Sequence, residues 1–481
     1  MRRTIAACSA FAALTLGVAV VAAGPPAAAL EPDLTNPQTV ATGLTVPWGL
    51  GFLPDGSALV AERNSARVLR VRPGAAPVTV TTIAGVSATG EAGLLGLAVS
   101  PTFAQDNLVY VYFTSATDNR IVRFRLNTPQ TQQVVLSGLA RASIHDGGRI
   151  AFGPDGMLYA AVGDAAVTSN AQNQQSLNGK ILRMRPDGGV PATGNPFPGS
   201  LVYSLGHRNP QGLAWDAQGR LYASEFGQNT WDEVNQIVAG ANYGWPTVEG
   251  RSNDTRFRNP IVVWTTAEAS PSGATIDGRT LYVAALRGQR LWSVPLDGAG
   301  GAGTPVALLQ GRYGRLRTVE RAPDGALWVT TSNRDGRGTP AADDDRILRF
   351  PPLGSPSTPP SASPSPSVST SVSPPATACS VRWTADQWGS GFTANVAVTN
   401  LGAARTSWTL AFTFPGNQRV TNAWNATVSQ SGTAVTARNA SWNGSLSTGA
   451  SVTFGLQATY TGANNRPTDF RLDGTDCTTA D

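Results

Sequence analysis

The chain has 481 residues, 41% of them hydrophobic and only 14% charged, against roughly 25% charged in an average globular protein. Its 52 glycines and 34 prolines mark a turn-rich globular chain with ample core material, and a disordered one is excluded. The net charge of +5 comes from scattered arginines, Lys180 being the sole lysine, so no clustered basic face for nucleic acid is expected.

Residues 1–29 carry a basic start (Arg2, Arg3), an apolar stretch from Ile5 to about Ala23, and the small-residue cleavage signal Ala27-Ala28-Ala29. They are expected to be a signal peptide, so the protein is secreted and extracellular. No second apolar run of ~20 residues follows, which leaves no membrane span once the leader is cleaved. Cys8 has too little apolar sequence before it to serve as a lipidation site. Two cysteines then remain, Cys379 and Cys477, and an oxidising compartment pairs them in one disulfide closing the C-terminal domain.

Residues 30–350 repeat. A turn precedes an alternating strand at Pro54-Asp55-Gly56, Asn107, Pro154-Asp155-Gly156, Gly219, Asp277-Gly278 and Pro323-Asp324-Gly325. Each is followed by a short strand with a polar entry, such as Arg67-Val68-Leu69-Arg70, Lys180-Ile181-Leu182-Arg183 or Arg346-Ile347-Leu348-Arg349. Copies of about 54 residues match a four-stranded propeller blade, and no helical period persists. The fold class is therefore all-β, with a six-bladed β-propeller as the large domain. A stacked sandwich array is the alternative that the regular Asp-Gly turns argue against.

A propeller names no chemistry, so function has to come from residues gathered at its channel. The chain has two histidines, each in a polar, Gly-containing loop ahead of a blade: Ser143-Ile144-His145-Asp146-Gly147-Gly148-Arg149 and Gly206-His207-Arg208-Asn209-Pro210. Histidine is the natural general base at neutral pH. Asp164, at the end of the strand after the His145 loop, is placed to orient that imidazole, or to cap a turn. No nucleophile elbow, free cysteine or histidine-rich zinc set is present. The glycine run 298–303 lies between strands with no helix to follow it, so a dinucleotide site is not expected. Arg208, Arg287, Arg315 and Arg317 remain, and alternation puts Arg315 and Arg317 on one strand face, as a fork for carboxylates.

Gly90-Glu91-Ala92-Gly93-Leu94-Leu95-Gly96, the His145 loop, Gly206-His207-Arg208-Asn209-Pro210-Gln211-Gly212, Ser224-Glu225-Phe226-Gly227 and Asn242-Tyr243-Gly244-Trp245-Pro246 occur in that order. Together they resemble the soluble glucose/sorbosone dehydrogenases, quinoproteins on six-bladed propellers. The resemblance implies oxidation of a sugar's anomeric hydroxyl to a lactone by pyrroloquinoline quinone (PQQ), with His145 as the base and Asp164 as its support. It further implies that Glu91, Arg208, Asn209, Arg287, Arg315 and Arg317 contact the cofactor. The carbonyls of Gly227 and Gln228 would hold a calcium ion, and a second calcium would sit near Glu233 and Tyr243. Arg287 stands where the glucose enzymes carry Lys, Glu91 where they carry Gln, and Gln228 where they carry Pro. Glu268 stands where a Thr lies near the cofactor, and a carboxylate there would repel PQQ unless paired. These departures look closer to the broad aldose dehydrogenase branch.

Residues 351–378 are Ser/Pro-rich and form an extended linker. Residues 379–481 alternate short strands and turns with almost no charge, which indicates a small β-sandwich. Gln387-Trp388, Ala423-Trp424-Asn425-Ala426 and Ser441-Trp442-Asn443-Gly444 closely resemble a family 2 carbohydrate-binding module. The resemblance implies that Trp388, Trp424 and Trp442 form a flat strip that stacks on the sugar rings of cellulose or chitin. The expected partners are thus a soluble sugar substrate, an insoluble polysaccharide and an electron acceptor that the sequence does not name. Two alternative functions fit the sequence less well. A calcium-dependent lactonase needs a carboxylate cluster where this chain offers arginines, and a non-catalytic sugar-binding propeller has no use for His145 and its arginines.

Overall fold

The computed structural model describes residues 31–353 and 379–480, apart from 404, 441, 442, 445 and 447–450. The expected signal peptide, most of the linker and Trp442 lie outside the described residues.

Among the described residues the N-terminal part consists of six four-stranded antiparallel sheets. Their innermost strands are Pro47–Phe52, Leu94–Val99, Ile150–Phe152, Asn209–Trp215, Pro271–Asp277 and Leu316–Arg321. Each sheet packs on the next through these strands and those beside them, and the last returns to the first. This closure is consistent with a propeller. Its last sheet is completed by an N-terminal strand, Gln38–Ala41, paired with Ile347–Phe350. The cores lie between successive sheets, as where Leu59 and Val68 of the first meet Leu94, Val111 and Phe124 of the second.

The sequence repeat has a physical cause. Each turn named above links the first strand of a sheet to its second, and each needs a left-handed residue: Gly56, Asn107, Gly156, Gly219, Gly278 and Gly325 all have positive φ. In three of the sheets the turn aspartate binds an arginine from the third strand: Arg70 meets Asp55, and Arg183 meets Asp155 at 2.9 Å. In the last sheet Arg349 meets Asp324 at 2.6 Å.

A second recurring device was not visible in the sequence. The innermost strands of five sheets carry a register shift near their start, at Pro47/Gly49, Leu94/Leu97, Pro210/Gly212, Pro271/Ala274 and Leu316/Thr318. Bulges re-aim side chains. Three of the residues inside these shifts, Trp48, Gln211 and Arg317, meet in one network: Arg317 Nη1 donates to Gln211 Oε1 at 3.0 Å and its guanidinium lies 5.8 Å from the Trp48 ring.

The C-terminal residues form two five-stranded sheets, consistent with a β-sandwich. One contains Cys379–Trp388, Gly391–Asn400, Arg419–Trp424 and Ser451–Thr459. Trp383, Phe392, Trp408, Phe412, Phe414 and Phe454 fill the space between the sheets. Cys379 and Cys477 form the expected disulfide. Among the described residues no helix is long and apolar enough to cross a membrane.

Candidate active site

His145 sits in the loop before Ile150–Phe152 with a left-handed φ of 61°, so its backbone has to be clamped. Its N–H donates to Glu91 Oε2 at 3.2 Å, and its carbonyl accepts from Ala165 N–H at 3.1 Å. On either side, the Asp146 carbonyl accepts from Tyr112 O–H at 2.9 Å, and Gly147 N–H donates to Asn209 Oδ1 at 3.1 Å.

Nδ1 of His145 lies 2.8 Å from Asp164 Oδ1. Asp164 is fully buried and also accepts Ala166 N–H on Oδ1 and Trp245 Nε1–H on Oδ2, each at 2.8 Å. With a backbone N–H and an indole N–H already donating to it, the carboxylate acts as an acceptor, which places the imidazole proton on Nδ1. Nε2 makes no hydrogen bond among the described residues, and its lone pair is free to take a proton. His207 is different. Its Nε2 meets Ser204 Oγ and its Nδ1 meets Glu225 Oε2, both at 2.8 Å, while the ring stacks on Tyr243. Both nitrogens are spent, so His207 is structural.

Glu91, which holds the His145 N–H, also lines a cavity of about 340 Å³ with Arg63, Arg287, Arg315, Arg317, Asp335 and Arg337, and with Gln211, Phe226, Ser270 and Leu286. Arg315 makes a two-pronged contact with Asp335 Oδ2 at 2.9 and 2.8 Å, and Arg317 reaches the same oxygen at 3.6 Å. Burial alone would raise the Asp335 carboxyl, but Arg317 and Arg315 hold it below the usual carboxylate range. Burial pushes the Arg317 guanidinium down to about 9, and Arg63 and Arg315 add repulsion. Its Nε is buried without a hydrogen-bond partner, and the exposed Arg287 makes no ion pair among the described residues. Glu268 does not line this cavity. It is exposed and turns back on Thr265, accepting its N–H at 3.1 Å and its hydroxyl at 2.7 Å.

Phe226 also borders a tight cleft of about 10 Å³ with Arg208, Glu225, Gly227, Glu233, Tyr243, Trp245 and Glu249. Arg208 is held by Gln228 Oε1, which accepts its Nε at 2.9 Å and its Nη2 at 2.6 Å. Glu249 Oε1 takes the amides of Gln228, Asn229, Thr230 and Trp231 at 2.7, 2.9, 2.9 and 3.1 Å. In a trans peptide the carbonyl points opposite to the N–H that follows it. The Gly227 and Gln228 carbonyls are thereby turned away from Glu249, and neither accepts a hydrogen bond among the described residues. Two adjacent free carbonyls suit a hard cation. Glu233 already accepts Gly250 N–H at 2.6 Å and Asn235 Nδ2–H at 2.9 Å, and burial with neighbouring Glu225 pushes its carboxyl up. The Tyr243 hydroxyl is spent on Gln236 O and Val238 N–H, leaving its carbonyl as the available oxygen.

The predicted residues thus fall into one neighbourhood. Glu91, Arg287, Arg315 and Arg317 line the cavity, and Arg208, Gly227, Glu233 and Tyr243 line the cleft. His145 and Asn209 join through Glu91, Asp164 through Trp245, and Gln228 through Arg208. Arg63, Asp335, Arg337, Trp245 and Glu249 were not picked out in the sequence. The alternating charges of Arg334-Asp335-Gly336-Arg337 were the one available signal for that loop.

A family model described as Glucose / Sorbosone dehydrogenase matches residues 44–348. The chain belongs to this family. A second model, the cellulose binding domain, matches residues 379–477. The solved PQQ-bound aldose sugar dehydrogenase of Streptomyces coelicolor is 50% identical and superposes with a TM-score of 0.64, covering 67% of this chain and 99% of its own. Quinoprotein glucose dehydrogenase B of Acinetobacter calcoaceticus is 35% identical over 258 residues, 46% of this chain. That match spans about half, 54%, of the Acinetobacter protein. Endoglucanase CelA of Streptomyces lividans is 50% identical over 104 residues, which are 21% of this chain and 23% of the endoglucanase.

In the C-terminal domain, two indoles stand exposed on the outer face of one sheet, Trp388 at 50% and Trp424 at 38% exposure. Each covers a glycine. A Cβ at Gly391 would come within 3.0 Å of the Trp388 ring and one at Gly455 within 2.0 Å of the Trp424 ring. Gly455 pairs with Asn395, four residues along the strand from Gly391, so the rings lie roughly 14 Å apart.

Proposed function

We propose that the protein is an exported quinoprotein, its leader in residues 1–29, that oxidises the anomeric hydroxyl of an aldose or oligosaccharide to a lactone. In this reading residues 30–350 form a six-bladed propeller that uses PQQ and calcium, residues 351–378 are a spacer, and residues 379–481 hold the enzyme on cellulose or chitin. The observation that carries it is the His145–Asp164 pair, with Nε2 left free, joined through Glu91 to a cavity lined by arginines. Five arginines against two carboxylates leave that wall three positive charges in excess, the number of carboxylates on PQQ. The unpaired Arg287 and the orphaned Arg317 Nε are donors that such an anion would satisfy.

PQQ, when bound, supplies a two-electron acceptor for the hydride, with calcium as a Lewis acid beside it. His145 Nε2 takes the sugar hydroxyl proton as the C–H hydride departs, and Asp164 stabilises the imidazolium that forms. Arg208, Asn209, Arg287, Arg315 and Arg317, with Glu91, orient the cofactor. The Gly227 and Gln228 carbonyls would hold the calcium, and a second calcium would sit by Glu233 and the Tyr243 carbonyl. Trp388 and Trp424, with Trp442, would stack on the polymer.

The test is dye-linked reduction by the cofactor-free full chain with glucose, cellobiose and other aldoses, with and without PQQ plus calcium. Activity should require both and fall at least ~100-fold in His145→Ala. Absence of PQQ binding in an absorbance titration would overturn the reading.

A further inference from the structure

Asp164 is placed to serve two masters. Its Oδ1 faces His145 Nδ1, and its Oδ2 accepts the Trp245 indole N–H, both at 2.8 Å. The indole is fixed in turn, since Trp245 N–H donates to Gly206 O at 3.0 Å and its carbonyl accepts Gln172 Nε2–H at 2.7 Å. Gln172 is locked to Asn242 by a reciprocal amide pair at 3.0 and 2.7 Å. On the other side, the Arg208 guanidinium lies 5.4 Å from the indole ring. A buried carboxylate shared among several donors, here with Ala166 N–H as the third, gives each a weaker bond than it would give one alone.

We propose that Trp245 is a positioning residue of the proton-abstracting pair, its indole N–H drawing on the Asp164 carboxylate and so limiting how strongly that carboxylate favours the charged imidazole. The inference rests on the proposed role of His145 as base, but its test does not need catalysis. The charged groups facing the imidazole are Asp164, Glu91 through the backbone N–H, and Arg208 across Trp245. The neighbouring Asp146 carboxyl is turned to Asn119 and Ala142. None of these is altered in Trp245→Phe, which removes the N–H and keeps a ring beneath Arg208.

The chain has only two histidines, and both ring nitrogens of His207 are engaged, so histidine-selective NMR of the cofactor-free full chain reads His145 directly. Trp245→Phe should raise the pH at which His145 takes up its proton by ~0.5–1 unit, and move the acidic limb of the pH–rate profile the same way. An unchanged midpoint overturns the proposal. So does a lowered one, which would mean that Asp164 had swung away from His145. If the variant does not fold, the wild-type chain gives a second reading: one indole N–H resonance should titrate in step with His145 and shift in Asp164→Asn. No such resonance also overturns the proposal. Loss of dye reduction in the wild-type chain would sink the dehydrogenase reading and leave this coupling standing.

Discussion

Glu91 and Arg337 face each other across the cavity, with Oε1 of the carboxylate 3.2 Å from Nη1 of the guanidinium. The same carboxylate uses its other oxygen to hold His145 N–H at 3.2 Å and Asn209 Nδ2–H at 3.4 Å. It is therefore the point at which the His145 loop, the arginine wall and the residue after His207-Arg208 meet.

Glu91→Gln keeps an acceptor for His145 and Asn209 and removes one negative charge from the wall. Arg337 is 59% exposed, so the pair itself is screened and contributes little to stability. The expected result is PQQ binding tighter by roughly twofold to tenfold with little change in Tm, read by absorbance titration and a melting curve. Weaker binding would mean that Glu91 serves the site mainly by orienting Arg337.

Arg287 and Arg317 separate two kinds of contact. Arg287 is exposed and unpaired, whereas Arg317 is buried over Trp48 and tied to Gln211 and Asp335. Arg287→Ala should weaken PQQ roughly threefold and leave the fold intact, while Arg317→Ala should weaken it at least ~10-fold. Equal losses in the two titrations would show that burial does not set the strength of these contacts.

Much of the frame was legible because the repeat encodes its own contacts. The Asp-Gly turns need residues such as Gly56 and Gly156 at positive φ, and the closing arginines Arg70, Arg183 and Arg349 are there to meet the turn aspartates. His145, Asp164, Arg315 and Arg317 were legible as chemistry from their residue types. What was not legible depends on chain distant in sequence. Asp335 joins Arg315 and Arg317 only because the last loop folds over the cavity, and Glu249 orders the 228–231 amides from beyond the next strand. Glu268 is a different case, since a local bond to Thr265 three residues away turns it from the cavity wall.

The C-terminal sheet should bind polysaccharide through rings held flat. Because Trp388 lies on Gly391 and Trp424 on Gly455, a side chain at either glycine would lift the indole. Trp388→Ala and Trp424→Ala are each expected to lower affinity for crystalline cellulose roughly threefold to tenfold. Gly455→Val should do likewise with the tryptophan intact. Pull-down isotherms on cellulose and chitin decide this, and a Gly455→Val chain that binds as wild type would show that the flat pose is not required.

Asp146 predicts how stability varies with pH. Burial pushes its carboxyl up to about 6, opposed by hydrogen bonds from Asn119 Nδ2 at 2.8 Å and Ala142 N–H at 3.1 Å, and Oδ2 is buried with no partner. The folded state thus favours the protonated form, whereas in the unfolded chain the group ionises near its ordinary ~3.9. Below that value both states are protonated and the group's contribution to stability is fully present. As pH rises towards about 6 the unfolded state loses its proton first, and stability falls by about 2–3 kcal/mol before levelling off. Asp146→Asn keeps the acceptor for Asn119 and Ala142 and has no proton to lose. Urea unfolding at pH 4, 5, 6 and 7 should therefore show the variant gaining on the wild type through this window and holding a constant lead above it. A difference that stays flat with pH would mean that Asp146 ionises in the fold as easily as in water, and that its orphaned oxygen is reached by solvent.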